Sequence, residues 1–179
     1  HNLVVHAESD LRSEDLPSGK QSHKLHSHGC MYTRTTGIWQ TVWMEAVDPC
    51  ALERVQVFTD IDQNQIVVTP TFYNLSNGNR LFITVKDGDK VVSKADVVAS
   101  QGIPVVIPIK KPKLWSPESP FLYDVVYEVK DASAKVIDRV DSYVGMRKIH
   151  INGTQIYLNN KPYYQRLVLD QGFYPDGVW

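Results

Sequence analysis

The sequence predicts an all-β protein centred on an immunoglobulin-like β-sandwich of about seven antiparallel strands. Three observations lead there. Apolar residues almost nowhere recur at i, i+3, i+4 and i+7, the spacing that an amphipathic helix needs. They alternate instead. In Leu81-Phe82-Ile83-Thr84-Val85-Lys86 the odd positions are apolar, and from Phe121 to Val129 the odd positions are apolar or aromatic while Asp124 and Glu128 face the other way. Successive side chains of a strand leave opposite faces, so each such run offers one core face and one wetter face. Turn-forming clusters then punctuate the runs at sandwich spacing: Asp62-Gln63-Asn64, Ser76-Asn77-Gly78-Asn79, Asp87-Gly88-Asp89, Ser100-Gln101-Gly102 and Asp131-Ala132-Ser133. Glycine and asparagine supply the positive φ of tight hairpins.

Taken in order, Leu3-Val4-Val5 reads as a strand in progress. Residues 9–30 are polar, rich in Ser, Lys and His, and read as a long loop. Ile38 to Met44 reads as a strand with a heavy aromatic load, followed by the linker Asp48-Pro49-Cys50. The sandwich strands are expected near 53–61, 65–74, 80–86, 90–98, 104–109, 121–130 and 135–144. Pro70 cannot donate to a ladder, so it marks an edge or a bulge in the second of them. Asn152-Gly153 predicts a type I′ turn and Asn159-Asn160-Lys161 a second turn, after which Tyr163 to Leu169 reads as a new strand ending at Asp170-Gln171-Gly172. Both ends read as cut, as expected of a piece of a larger protein.

The chain of 179 residues is long enough to bury a core without staples. With 19 Lys and Arg against 20 Asp and Glu, it lacks the basic excess of a nucleic-acid binder or a polybasic membrane-surface protein. Its apolar runs fall far short of the roughly 20 residues that span a bilayer. Two cysteines, Cys30 and Cys50, cannot make a disulfide framework. One bridge between them stays open, and so does the compartment, whether periplasmic, secreted or cytoplasmic.

Three blocks are more specific. They are Tyr32-Thr33-Arg34-Thr35-Thr36-Gly37-Ile38-Trp39-Gln40-Thr41-Val42-Trp43, then Leu114-Trp115-Ser116-Pro117-Glu118-Ser119-Pro120-Phe121-Leu122-Tyr123, then Val144-Gly145-Met146-Arg147-Lys148-Ile149 with Ile156-Tyr157-Leu158-Asn159-Asn160-Lys161-Pro162. In content and order they resemble glycoside hydrolase family 2, the β-galactosidase, β-glucuronidase and β-mannosidase group. The resemblance implies three parts. Residues 1–47 would be the C-terminal part of a sugar-binding jelly roll. Residues 48–147 would be the immunoglobulin-like sandwich. Residues 148–179 would be the lead-in hairpin and first strand of a catalytic (β/α)₈ barrel. One position departs from the family: Arg166 is followed by Leu167, where the family has Arg-Gly.

Retaining glycoside hydrolysis needs two carboxyl groups about 5–5.5 Å apart across the bond. The resemblance places both catalytic glutamates on later barrel strands, beyond Trp179, and no Asn-Glu pair here sits at a strand end. No catalytic residue and no cofactor is therefore expected in this chain. The resemblance points to Asp170 and Gln171, just past the first barrel strand, as contacts to sugar hydroxyls. Asp170 reads equally as a cap on the turn before Gly172. Tyr32 and Arg34, leading into the jelly-roll strand, could line the same pocket or form a structural ion pair. Trp39, Trp43 and Trp115 read as seam or core residues more readily than as sugar platforms. His23, His26, His28 and Cys30 have zinc-binding chemistry but no matching second cluster, so no metal site is expected. Asn74-Leu75-Ser76 and Asn152-Gly153-Thr154 fit the glycosylation sequon but read better as turns, and Lys110-Lys111-Pro112-Lys113 as a solvated connector.

Two functional readings from different classes follow. One is the non-catalytic central region of a family 2 glycosidase, a spacer whose partner is a carbohydrate only through the longer protein. The other is a self-standing carbohydrate-binding or adhesion sandwich. A fibronectin-like interaction domain leaves residues 144–179 unexplained. Exposed strand edges could also pair two copies into a homo-oligomer.

Overall fold

The computed structural model describes residues 2–13, 15, 17–38, 40–170 and 172. The chain divides into two compact units, residues 46–165 and residues 1–45 with 166–179.

Among the described residues the strands all lie in the first unit: β1 (Leu52–Asp60), β2 (Gln65–Phe72), β3 (Arg80–Asp87), β4 (Lys90–Val98), β5 (Val105–Pro108), β6 (Tyr123–Lys130), β7 (Val136–Val144), β8 (Ile149–Asn152), β9 (Gln155–Leu158) and β10 (Lys161–Pro162). The first seven match the expected strands to within two residues at either end. They form two antiparallel sheets, β1-β2-β5 and β4-β3-β6-β7, and β8 to β10 form a small third sheet in the order β10-β9-β8. No helix among the described residues is long and apolar enough to cross a membrane.

Alternation decides which residues enter the core. Leu81, Ile83 and Val85 of β3 are buried, as are Tyr123, Val125, Tyr127 and Val129 of β6. From the other sheet they meet Ile66, Val68 and Phe72 of β2 and Val105 and Ile107 of β5. Burial pushes the Tyr127 phenol up to about 12, because the charged form would have to leave water. Asp138 ties the sheets together at their ends by accepting the Leu52 backbone N–H at 2.9 Å.

Pro70 needs a refinement. Its strand lies in the centre of its sheet, but β5 pairs with β2 only from Gln65 to Val68. The Pro70 carbonyl instead accepts from Gly102 N–H at 2.9 Å, so residue 70 turns its ladder side to where β5 has ended. The missing N–H therefore costs no strand bond. One residue pair further, the Gln101 side chain stands in for a strand: its Oε1 accepts the Phe72 N–H at 3.0 Å.

Gly78 in the β2–β3 connection has φ +87°, and a Cβ there would lie 2.8 Å from that of Ala132, so only glycine fits. Turn chemistry differs from expectation in one hairpin. Asn152 pairs with Gln155, which leaves Gly153-Thr154 as the two-residue turn. Only Gly153 has positive φ there, the mark of type II′. The type I′ pattern belongs to Asn159-Asn160, with φ of 52° and 64°.

In the second unit, residues 17–32 form turns tied by bridges between Gln21 and Tyr32 and between His28 and Met31. Three expected strands are corrected: Leu3-Val4-Val5, the described residues of 38–44 and residues 163–169 carry no strand. A strand exists only as a ladder to a neighbour, and beyond one bond from Tyr163 N–H, in the first unit, to Ile156 O at 2.8 Å these residues have none. Their side chains stay out of a core, with Trp43 73% and Val168 91% exposed. Trp39 lies outside the described residues. Cys30 and Cys50 are free thiols.

Candidate functional site

A side-chain network of the first unit lies at one end of the sandwich, where the β1–β2 turn, the β5–β6 connection and the β7–β8 linker meet the β9–β10 turn. Trp115 anchors it. Its N–H donates to Met146 O at 2.9 Å. The Arg147 guanidinium lies over its ring at 4.6 Å. Gly145 presses on the same residue: a Cβ there would come within 3.2–3.3 Å of Leu122 Cδ2 and of Trp115 Cβ and Cδ1. Thr59 of β1 adds a tie by donating its hydroxyl to Arg147 O at 2.8 Å.

The β9–β10 turn closes on this anchor. Two consecutive asparagines take left-handed backbone conformations that Asn tolerates better than most residues. That conformation frees both side chains to reach back. Asn159 Oδ1 accepts the Lys148 backbone N–H at 3.0 Å, while its Nδ2 donates to Trp115 O at 2.9 Å. Each partner can play only one role, so the amide has one orientation. The Asn159 N–H donates to Lys148 O at 2.8 Å. Asn160 Nδ2 donates to Asp62 Oδ1 at 2.7 Å, and the Lys148 ammonium pairs with Asp62 Oδ2. The Lys148 bond, then Asn160, hold the Asp62 carboxyl below the usual carboxylate range. Beyond the turn, the Tyr163 hydroxyl donates to Glu118 Oε1 at 3.3 Å. Glu118 is lowered by its own backbone N–H first and by the Ser116 and Tyr163 hydroxyls after it.

An open groove of about 910 Å³ runs beside this network, lined by residues including Phe58, Trp115, Leu122, Tyr143, Arg147 and Lys148. Its two carboxylates are already committed. Asp60 Oδ1 accepts the backbone N–H groups of Asp62 and Gln63, each at 3.0 Å, and Asp62 holds Lys148 and Asn160.

Of the residues named from sequence for sugar contact, Tyr32, Arg34 and Asp170 belong to the second unit. Tyr32 is half-buried, with its backbone N–H on Lys20 O at 2.7 Å and its carbonyl on Ser22 N–H at 2.7 Å. Arg34 is half-buried. Asp170 is exposed and its Oδ1 accepts the Gly172 N–H at 2.9 Å, the turn cap that was its alternative reading. Gln171 lies outside the described residues. Ser22 Oγ gathers the histidine loop, donating to His26 O at 2.8 Å and lying 3.0 Å from His28 Nδ1. No group of three or more His, Cys, Asp or Glu among the described residues is placed to hold a metal ion. Lys113 of the lysine-rich connector pairs with Asp87 at 2.5 Å and lies over the Phe121 ring at 4.5 Å.

Sequence reasoning treated Asp62, Lys148, Asn159 and Asn160 as turn or motif residues and missed their joint role. The available signal was the asparagine pair, since two adjacent left-handed amides carry donors and acceptors that a turn alone does not use.

Fold and network together define an immunoglobulin-like sandwich domain with a hairpin sheet fastened to one end. The profile of glycosyl hydrolases family 2 matches residues 50–147, and the chain belongs to that family. A β-galactosidase of Leuconostoc mesenteroides is 31% identical over 120 residues, covering 66% of this chain and 11% of that protein. A putative β-glucuronidase of Formosa agariphila is 25% identical over 169 residues, covering 90% of this chain and 19% of that protein. Among solved structures, a glycosyl hydrolase family 2 member from Bacteroides cellulosilyticus superposes with a TM-score of 0.58 at 21% identity, over 64% of this chain and 18% of that one. The β-glucuronidase of Ruminococcus gnavus in complex with D-glucuronic acid does so at 0.52 and 20%, over 64% and 19%. These two likenesses bear on the fold. The chain thus spans between about a tenth and a fifth of the length of these relatives.

Proposed function

We propose that this chain is the non-catalytic central region of a β-galactosidase- or β-glucuronidase-like glycosidase, acting as a stiff spacer between a sugar-binding domain and a catalytic barrel. One observation carries the reading: two of the three sequence blocks that mark the family converge on the joint around Trp115, where Met146, Arg147, Lys148 and Asn159 all meet it or its partners. The most distinctive residues thus fasten one segment to another. The carboxylates at that joint are spent on turns and ion pairs, which leaves no opposed acid and nucleophile among the described residues there.

A spacer contributes to rate through placement. Errors near 1 Å at reacting groups can cost about a hundredfold, so a rigid connection between domains has catalytic value without touching substrate. In the longer protein Asp170, Gln171, Arg34 and Tyr32 would contact the carbohydrate. The chain by itself should hydrolyse neither p-nitrophenyl β-galactoside nor the β-glucuronide. In the longer protein, deleting residues 50–145 should abolish activity. Unchanged kinetics after that deletion would reject the spacer role.

A further inference from the structure

The polar network at the joint does more than stabilise a turn. A two-residue type I′ hairpin needs only left-handed backbone at its central positions, and glycine supplies that as well as asparagine. Here both asparagines use their side chains on other segments. Asn159 bridges Lys148 N–H and Trp115 O, and Asn160 with Lys148 grips Asp62. Two of the attachments reach separate loops of the sandwich, Trp115 in the β5–β6 connection and Asp62 in the β1–β2 turn, and Lys148 joins them at the covalent linker itself. Two such attachments together with the linker restrain the tilt and rotation of a small sheet, whereas a single covalent linker fixes neither.

We propose that Asn159 and Asp62 form a lock that sets the direction in which the β8–β10 sheet, and the chain after Pro162, leaves the sandwich. Both are positioning residues: they hold an angle and touch no substrate. The value of that angle to a longer enzyme rests on the spacer reading above, but the lock itself does not.

Asn159→Gly separates the two roles of the residue, because it keeps the left-handed turn and deletes both side-chain bonds. In the 179-residue chain it should speed exchange of the Lys148 amide about fivefold, the worth of one hydrogen bond of roughly 1 kcal/mol. It should also change the residual dipolar couplings of residues 149–162 relative to those of 65–72 and 123–130. Asn159→Asp keeps the acceptor for Lys148 N–H and should leave that amide near its original rate. If Asn159→Gly leaves the Lys148 amide and the hairpin couplings as they were, the lock is overturned. Should that variant lose protection at core amides such as Ile83 and Val125, Asp62→Ala decides: shifted hairpin couplings over an intact core support the lock, and unshifted ones overturn it. A lock that passes here while the deletion in the longer protein leaves kinetics unchanged would sink the spacer role alone.

Discussion

Residues 81–86 and residues 38–44 both mix apolar, aromatic and polar side chains in the manner of a strand, yet they end differently. Leu81, Ile83 and Val85 are fully buried between β4 and β6, with cross-strand partners on both sides. Val42, Trp43 and Met44 are exposed and without a ladder. The apolar pattern was similar, so the pattern was not what decided. What decided was whether neighbouring strands lay within hydrogen-bonding distance, and alternation within one segment carries no information about that.

The largest effect is expected in the core. Ile83→Ala should cost about 3 kcal/mol in denaturant unfolding, since the deleted methyls leave a cavity that β-sheet neighbours cannot fill. A loss below 1 kcal/mol would mean that the sandwich is loosely packed. Next comes alkaline stability. Tyr127 keeps its proton to about pH 12 when folded and loses it near the ordinary value of 10 when unfolded. Between those values the unfolded chain binds fewer protons, so the stabilisation is complete below about pH 10 and is lost as pH rises, by about 2 kcal/mol at pH 12. Tyr127→Phe should lack that alkaline loss, and a chemical-denaturation series against pH compares the two. Gly145→Ala should cost about 1–2 kcal/mol, because the new methyl meets Trp115, itself held under Arg147. Val168→Ala, outside the sandwich and exposed, should change stability by less than about 0.5 kcal/mol. An effect comparable to that of Ile83→Ala would show that residues 163–169 pack after all.

Much of the sandwich was legible because period-two burial is a local property. The odd residues of 81–85 and 123–129 could be assigned to the core one strand at a time. Pro70 was half legible: its missing donor was plain, but only the point where β5 stops explains why a central strand tolerates it. The turn at Gly153-Thr154 was misplaced by one residue because register depends on the pairing of Asn152 with Gln155, a relation between two strands. The joint was the least legible feature. Asp62 lies 86 residues from Lys148 and 98 from Asn160, and nothing in the local sequence of a four-residue turn announces those partners. The family blocks were conspicuous as sequence, and their physical reason emerged only where Trp115, Lys148 and Asn159 touch.

The central claim is rigidity: sandwich and hairpin sheet should behave as one body. Backbone ¹⁵N relaxation on the 179-residue chain tests it directly. Order parameters of about 0.85 are expected for the strands of 149–162, equal to those of 65–72 and 123–130, with one shared rotational correlation time. Values below about 0.6 across 149–162, or a separate faster tumbling time for that sheet, would contradict it.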